Sequence, residues 1–173
     1  MTAPQPACYT LGLPGSLNLL QPASTDGFLE RPALLTVIVE TTELALPSRI
    51  ESVEEAAGAV AGILNRAGVN EEVTFGVDMA FREAVTNAVL HGNNQDEAKF
   101  VRITVKSSPG RLEISVHDEG AGFNPAEVPN PTDTENILKS SGRGIFFMRN
   151  FMDEVDWVIR PEGGTTVRMR KKF

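Results

Sequence analysis

Apolar and polar residues alternate or recur at helical spacing along most of the chain after residue 33, and the two rhythms mark out its elements. LLTVIVETTE (34–43) is rich in branched residues and reads as a strand. Pro47 and Ser48 then open a helix through Ala67, with Ile50, Val53, Ala57, Val60, Ala61 and Leu64 on its apolar stripe. A second helix is predicted from about Asn70 to His91, with Gly92 as its stop. In FVRITVK (100–106), Val101, Ile103 and Val105 share one side of a strand. Pro109-Gly110 turns the chain into RLEISVHD (111–118), where Leu112, Ile114 and Val116 share a face. Residues 124–141 hold Pro125, Pro129 and Pro131 among many small polar residues, which predicts a long loop, either a functional lid or disordered. A helix over about 144–152 follows, then strands over 154–160 and 165–172 joined by a Pro-Glu-Gly-Gly turn.

Strand, two helices, hairpin, lid, helix, hairpin is the order of an α+β fold. It predicts a two-layer α/β sandwich whose sheet is mostly antiparallel, with the helices on one face. Residues 31–173 suit one domain. Residues 1–30 contain Pro4, Pro6, Pro14 and Pro22, with only Asp26 and Glu30 as charges, and read as an irregular arm. Its segment LGLPGSLNLL has the apolar content to dock on the domain.

Charge narrows the partners. A formal net charge of −7 argues against a nucleic-acid backbone as the main partner. The basic run RMRKK (168–172) is read as the solvated face of a last strand. Cys8 is the only cysteine, so neither an intrachain disulfide nor a cysteine metal cluster can form. LLTVIV (34–39) is too short to span a bilayer, and no positive residue precedes Arg31. A soluble, cytoplasmic protein without membrane attachment is expected.

Asp118 is the most telling residue for chemistry. By strand parity it shares the face of Leu112, Ile114 and Val116, so its carboxylate points into the apolar layer. Unpaired there, it would cost roughly several kcal/mol. Two readings compete: a receptor for an adenine amino group, or a strand that ends one residue early with Asp118 capping the Glu119-Gly120 turn. The same parity puts Thr165 with Val167 and Met169 on the inner face, while Thr166 looks out. A buried hydroxyl beside a buried carboxylate suits a purine edge, although threonine is also common in strands for its β propensity.

Gly120 and Gly122 follow Asp118, and Gly142 and Gly144 open the helix beginning IFFMRNF. Glycines there admit a ligand close to the backbone, and free N–H groups at a helix start bind phosphate. Arg143 would add a charged contact to phosphate, or is a solvated loop arginine. Glu83 and Asn87 stand four residues apart on one helix face. They are either the wet side of an amphipathic helix or a pair for catalysis and metal. In the second case Asn87 offers a neutral oxygen to Mg²⁺, and Glu83 orients or deprotonates an attacking hydroxyl. His91, near the helix C-terminus, is read as structural.

These segments resemble the GHKL family of ATPases, which share the Bergerat fold. FREAVTNAVLHGN (81–93) resembles the N box, HDEGAGF (117–123) the first glycine box, SGRGIFFMRN (141–150) the second and GGTTV (163–167) the closing motif. Within the family the spelling is most similar to bacterial anti-sigma-factor serine kinases of the sporulation and general-stress type. The resemblance implies an ATP- and Mg²⁺-dependent protein kinase that binds a sigma factor and phosphorylates a serine of an anti-anti-sigma antagonist. It implies Glu83 as catalytic glutamate, Asn87 as metal ligand, and Asp118 and Thr165 as adenine readers. Gly120, Gly122, Gly142 and Gly144 match the phosphate-lid glycines, and a homodimer is compatible with it. Where some members place a basic residue just before the Ser-Gly of the second box, Ser140 stands here, with Lys139 and Arg143 nearby. A nucleotide-gated module that switches partners with little or no catalysis is the alternative function.

Overall fold

The computed structural model describes residues 39–122, 143–161 and 163–173. Five strands form one sheet: β1 (Glu40–Pro47), β2 (Phe100–Ser108), β3 (Arg111–His117), β4 (Glu154–Ile159) and β5 (Thr165–Lys172). Their spatial order is β1-β2-β3-β5-β4, and all four pairings are antiparallel. Helices α1 (Glu51–Arg66), α2 (Glu71–Asn87) and α3 (Arg143–Phe151) lie side by side over one face, with α2 in the middle. This is the expected two-layer α+β sandwich.

Period-two patterning produces the two faces. Val101, Ile103 and Val105 of β2, Leu112, Ile114 and Val116 of β3, and Met169 of β5 are all buried toward the helices. Register keeps them in rows, since Ile114 faces both Val105 and Met169. The other face is polar: Arg170 of the basic run bonds Glu113 at 3.0 Å and Glu154 at 2.6 Å. Such exposed pairs contribute about 0–1 kcal/mol each, so burial of the apolar rows dominates.

Three boundaries differ from the sequence expectation. β1 runs on to Pro47, because Leu44 and Leu46 alternate and pair with Ile103 and Val101. Pro47 ends an edge strand, where a missing N–H costs little. Accordingly α1 starts at Glu51, Ile50 and Ala61 are exposed, and buried Ser52 donates its hydroxyl hydrogen to the Pro47 carbonyl at 2.7 Å. Finally, α2 ends at Asn87, and Ala88–Gly92 forms a π turn closed by Asn93 N–H on the Ala88 carbonyl at 2.8 Å. π turns inserted at helix ends frequently accompany functional sites.

At its other end α2 is capped by Asn70, whose side chain accepts from Val73 N–H at 2.9 Å. Edge-to-face contact of Phe75 with Phe151, centroids 6.1 Å apart, ties α3 to α2. The arm (1–30), residues 34–38 of the predicted first strand, the loop (124–141) and Gly142 lie outside the described residues.

Candidate functional site

β3 stops at His117, yet Asp118 keeps the strand's direction: its N–H donates to the Thr165 carbonyl at 3.0 Å. It is only 6% exposed, the inward orientation that parity requires. Its Oδ1 accepts from Gly120 N–H at 2.9 Å and Thr165 N–H at 3.1 Å. The carboxylate therefore caps the turn, as the second reading has it, and also faces inward, as parity requires. Both bonds fall on Oδ1, and Oδ2 takes neither.

The backbone crowds round this carboxylate. A Cβ on Gly120 would stand 2.2 Å from the Gly92 carbonyl oxygen, and one on Gly164 would stand 2.0 Å from the Asp118 carbonyl oxygen. Glycine is thus required where the end of the π turn, the first glycine box and the start of β5 meet. Gly122, at φ +97°, carries the chain away past Ile159.

Thr165 is 2% exposed, and its Oγ1 is the one buried side-chain polar atom among the described residues without a hydrogen-bond partner. Buried hydroxyls are normally satisfied, so an orphan beside a half-used carboxylate fits a ligand with polar edges. Thr166 does turn to the opposite face, as parity predicts, but it is buried rather than solvated. Its Oγ1 accepts from Arg160 Nε at 3.1 Å and lies 3.2 Å from His117 Nδ1. The cause is local: the long Arg160 side chain folds back over β5.

Glu83 and Asn87 are half-buried on α2. At 1.5 Å rise per residue, Asn87 lies about 8 Å and Glu83 about 14 Å along the helix from Gly92, which touches Asp118. α3 begins beside them, for a Cβ on Gly144 would stand 2.5 Å from Glu83 Oε2 and 3.5 Å from Asn87 Nδ2. Arg143 is the exposed first residue of α3. Hence Asp118, Gly120 and Thr165 gather at one end of α2's inner edge, and Glu83, Asn87 and Gly144 gather further along it. His91 is exposed and stands apart from both groups' contacts.

Among the described residues no group of three His, Cys, Asp or Glu side chains could hold a metal ion. A carboxamide and one carboxylate are hard oxygen donors, which suits a Mg²⁺ that takes its other ligands from phosphates and water.

Residues 46–171 match the family model of the histidine kinase-like ATPase domain. The chain belongs to that family. Nucleotide binding is therefore the coarse property of the domain, and the GHKL resemblance seen in the motifs holds. An anti-sigma F factor from Geobacillus stearothermophilus is 40% identical over 93 residues, 53% of this chain and 64% of the relative. Another from Geobacillus thermodenitrificans is 43% identical over 91 residues, 51% of this chain and 62% of the relative. The match thus spans less than two thirds of the curated relatives' length. Among solved structures, a chain of the SiaB–SiaC complex from Pseudomonas aeruginosa superposes with a TM-score of 0.58 at 13% identity. That match covers 74% of this chain and 87% of that one. The RsbU and RsbW domains of a Mycobacterium tuberculosis protein give 0.57 at 18% identity, covering 76% and 32%. At those identities the likeness establishes a shared fold alone. No helix among the described residues is long and apolar enough to cross a membrane.

Sequence reasoning passed over two residues that build the site. In the sequence Gly92 reads only as a helix stop, yet it faces Asp118. Asn93 reads only as part of a motif, yet it is fully buried and hydrogen-bonded at both ends of its carboxamide. A polar residue straight after a helix-stopping glycine was the available signal.

Proposed function

We propose that this protein is a cytoplasmic ATP- and Mg²⁺-dependent serine kinase that binds a sigma factor and phosphorylates a serine of an anti-anti-sigma antagonist. The observation that carries the reading is the orphan Thr165 hydroxyl next to Asp118, a buried polar pair completed by the edge of an adenine. Identity of about 40% to proteins named anti-sigma F factor supports the choice of partners. Residues 31–173 form the nucleotide-binding domain in this reading, and residues 1–30 are an added arm.

In this reading each site residue has a role. Asp118 Oδ2 accepts from the purine amino group while Oδ1 stays bonded to the turn. Thr165 Oγ1 meets the neighbouring purine nitrogen. Gly120, Gly122, Gly142 and Gly144 let backbone N–H groups approach the phosphates, with Arg143 adding charge. Asn87 would hold Mg²⁺, which would neutralise charge on the phosphate oxygens. Glu83 orients the substrate serine hydroxyl and takes its proton as the oxygen attacks the terminal phosphorus. The bond from that phosphorus to the bridging β–γ oxygen breaks and ADP leaves.

Incubation with labelled ATP and candidate antagonist proteins tests this. Label should appear on a partner serine, and Glu83→Ala should reduce transfer by roughly 10²- to 10⁴-fold with ATP binding kept. Transfer that persists in Glu83→Ala removes the assigned base. Partner binding without any label favours the nucleotide-gated switch instead.

A further inference from the structure

Asn93 is 0% exposed, although it is polar and sits just past a helix end. Its Nδ2 donates to the Phe100 carbonyl at 3.1 Å, and its Oδ1 accepts from Glu119 N–H at 2.7 Å. These partners fix the orientation of the carboxamide, since reversing it would set N–H against N–H and oxygen against oxygen. Its own N–H closes the π turn on Ala88. One residue therefore joins the end of the α2 segment, the first residue of β2, and the residue next to Asp118.

Glu119 is held again through its side chain, which accepts from Phe100 N–H at 3.4 Å and from Arg102 at 3.2 Å. One position further on, Gly120 N–H donates to Asp118 Oδ1. The turn after Asp118 is thus gripped from both sides, by Asn93 at Glu119 and by Asp118 itself at Gly120. Loss of the Asn93 acceptor would leave a part-buried N–H unpaired, a state that folded chains relieve by moving the backbone. Movement there swings the Asp118 carboxylate.

We infer that Asn93 is a positioning residue for purine selection: through the Glu119 N–H it sets the direction in which the Asp118 carboxylate meets a 6-amino purine. The inference rests on the proposed role of Asp118 as adenine receptor. Asn93 itself touches no nucleotide. Its effect is therefore on discrimination between ATP and ITP, which carries a 6-oxo group in place of the amino group.

The experiment measures ATP and ITP affinities of the full chain by calorimetry, with melting curves alongside. The wild-type protein should prefer ATP. Asn93→Ala and the milder Asn93→Ser should shrink that preference by about tenfold, the size of one hydrogen bond to a charged group. Asn93→Asp keeps an acceptor for Glu119 N–H and should retain the preference even where it melts earlier. If Asn93→Ala does not fold, Asn93→Ser carries the comparison. An unchanged ATP/ITP ratio in either folded variant makes Asn93 a structural staple and overturns the inference, with the Asp118 reading intact. A wild-type ratio near one overturns the Asp118 reading itself.

Discussion

Gly92 and Asp118 are in direct contact: a Cβ on Gly92 would stand 2.4 Å from the Asp118 Cγ and 2.7 Å from its Cβ. The Asp118 backbone N–H is bonded to the Thr165 carbonyl and its Oδ1 to Gly120 N–H, so those atoms have little room to yield. The end of the α2 segment and the end of β3 meet there, and the inner wall of the site depends on it.

Gly92→Ala should therefore destabilise the fold by about 1–3 kcal/mol, the cost of overpacking a closed contact. ATP affinity should fall as well, because the carboxylate is pushed from its place. Denaturant melts and calorimetric titration check the two effects. An unchanged melt would mean that the contact is softer than its geometry implies.

Thr165→Val separates binding from folding. The hydroxyl has no partner among the described residues, so replacing it by a methyl of similar shape should leave stability unchanged or raise it by about 1 kcal/mol. Nucleotide affinity should drop about two- to tenfold, the worth of one ordinary hydrogen bond. A large loss of stability with affinity intact would give the hydroxyl a structural role instead.

At Gly144 two effects oppose each other. Alanine suits a helix better by up to about 1 kcal/mol, yet its methyl would lie 2.5 Å from Glu83 Oε2. The overlap is with the tip of a flexible side chain, which rotates away at little cost, so stability should stay near wild type. Phosphoryl transfer should fall because Glu83 is displaced. Single-turnover rates beside a thermal melt decide it, and an unchanged rate would mean that Glu83 works from another rotamer.

The basic last strand gives an acid-sensitive tie. The Lys172 backbone N–H, bonded to Asp153 at 2.7 Å, holds that carboxyl below its ordinary value of 3.8, with Lys171 reinforcing it against partial burial. A depressed folded-state value stabilises above the unfolded value and is lost as pH falls through the folded one. Asp153→Asn should thus melt slightly earlier at pH 7, and the difference should shrink as pH falls below 3.8 and vanish once the carboxyl is protonated in the folded chain. The group is well exposed, so the effect is small, and melts across pH 2–7 measure it.

Much of this protein is legible from its sequence. Alternation in β2, β3 and β5 sets which residues are buried, because side chains on a strand point to opposite faces in turn. The same rule turns Asp118 and Thr165 inward, and the spacing of Glu83 and Asn87 puts them on one helix face. What alternation does not carry is where a strand trades places with a helix. Pro47 reads equally well as a helix opener and as the end of an edge strand, and only the pairing of Leu46 with Val101 separates the two.

Local pattern was sufficient for faces, motifs and element order, since each depends on neighbours within a few residues. The neighbouring of β3 and β5, the π turn that brings Gly92 to Asp118, and the burial of Asn93 between Phe100 and Glu119 depend on segments distant in the chain. They are set by which surfaces close together once the core forms, a property of packing that no short stretch of residues encodes.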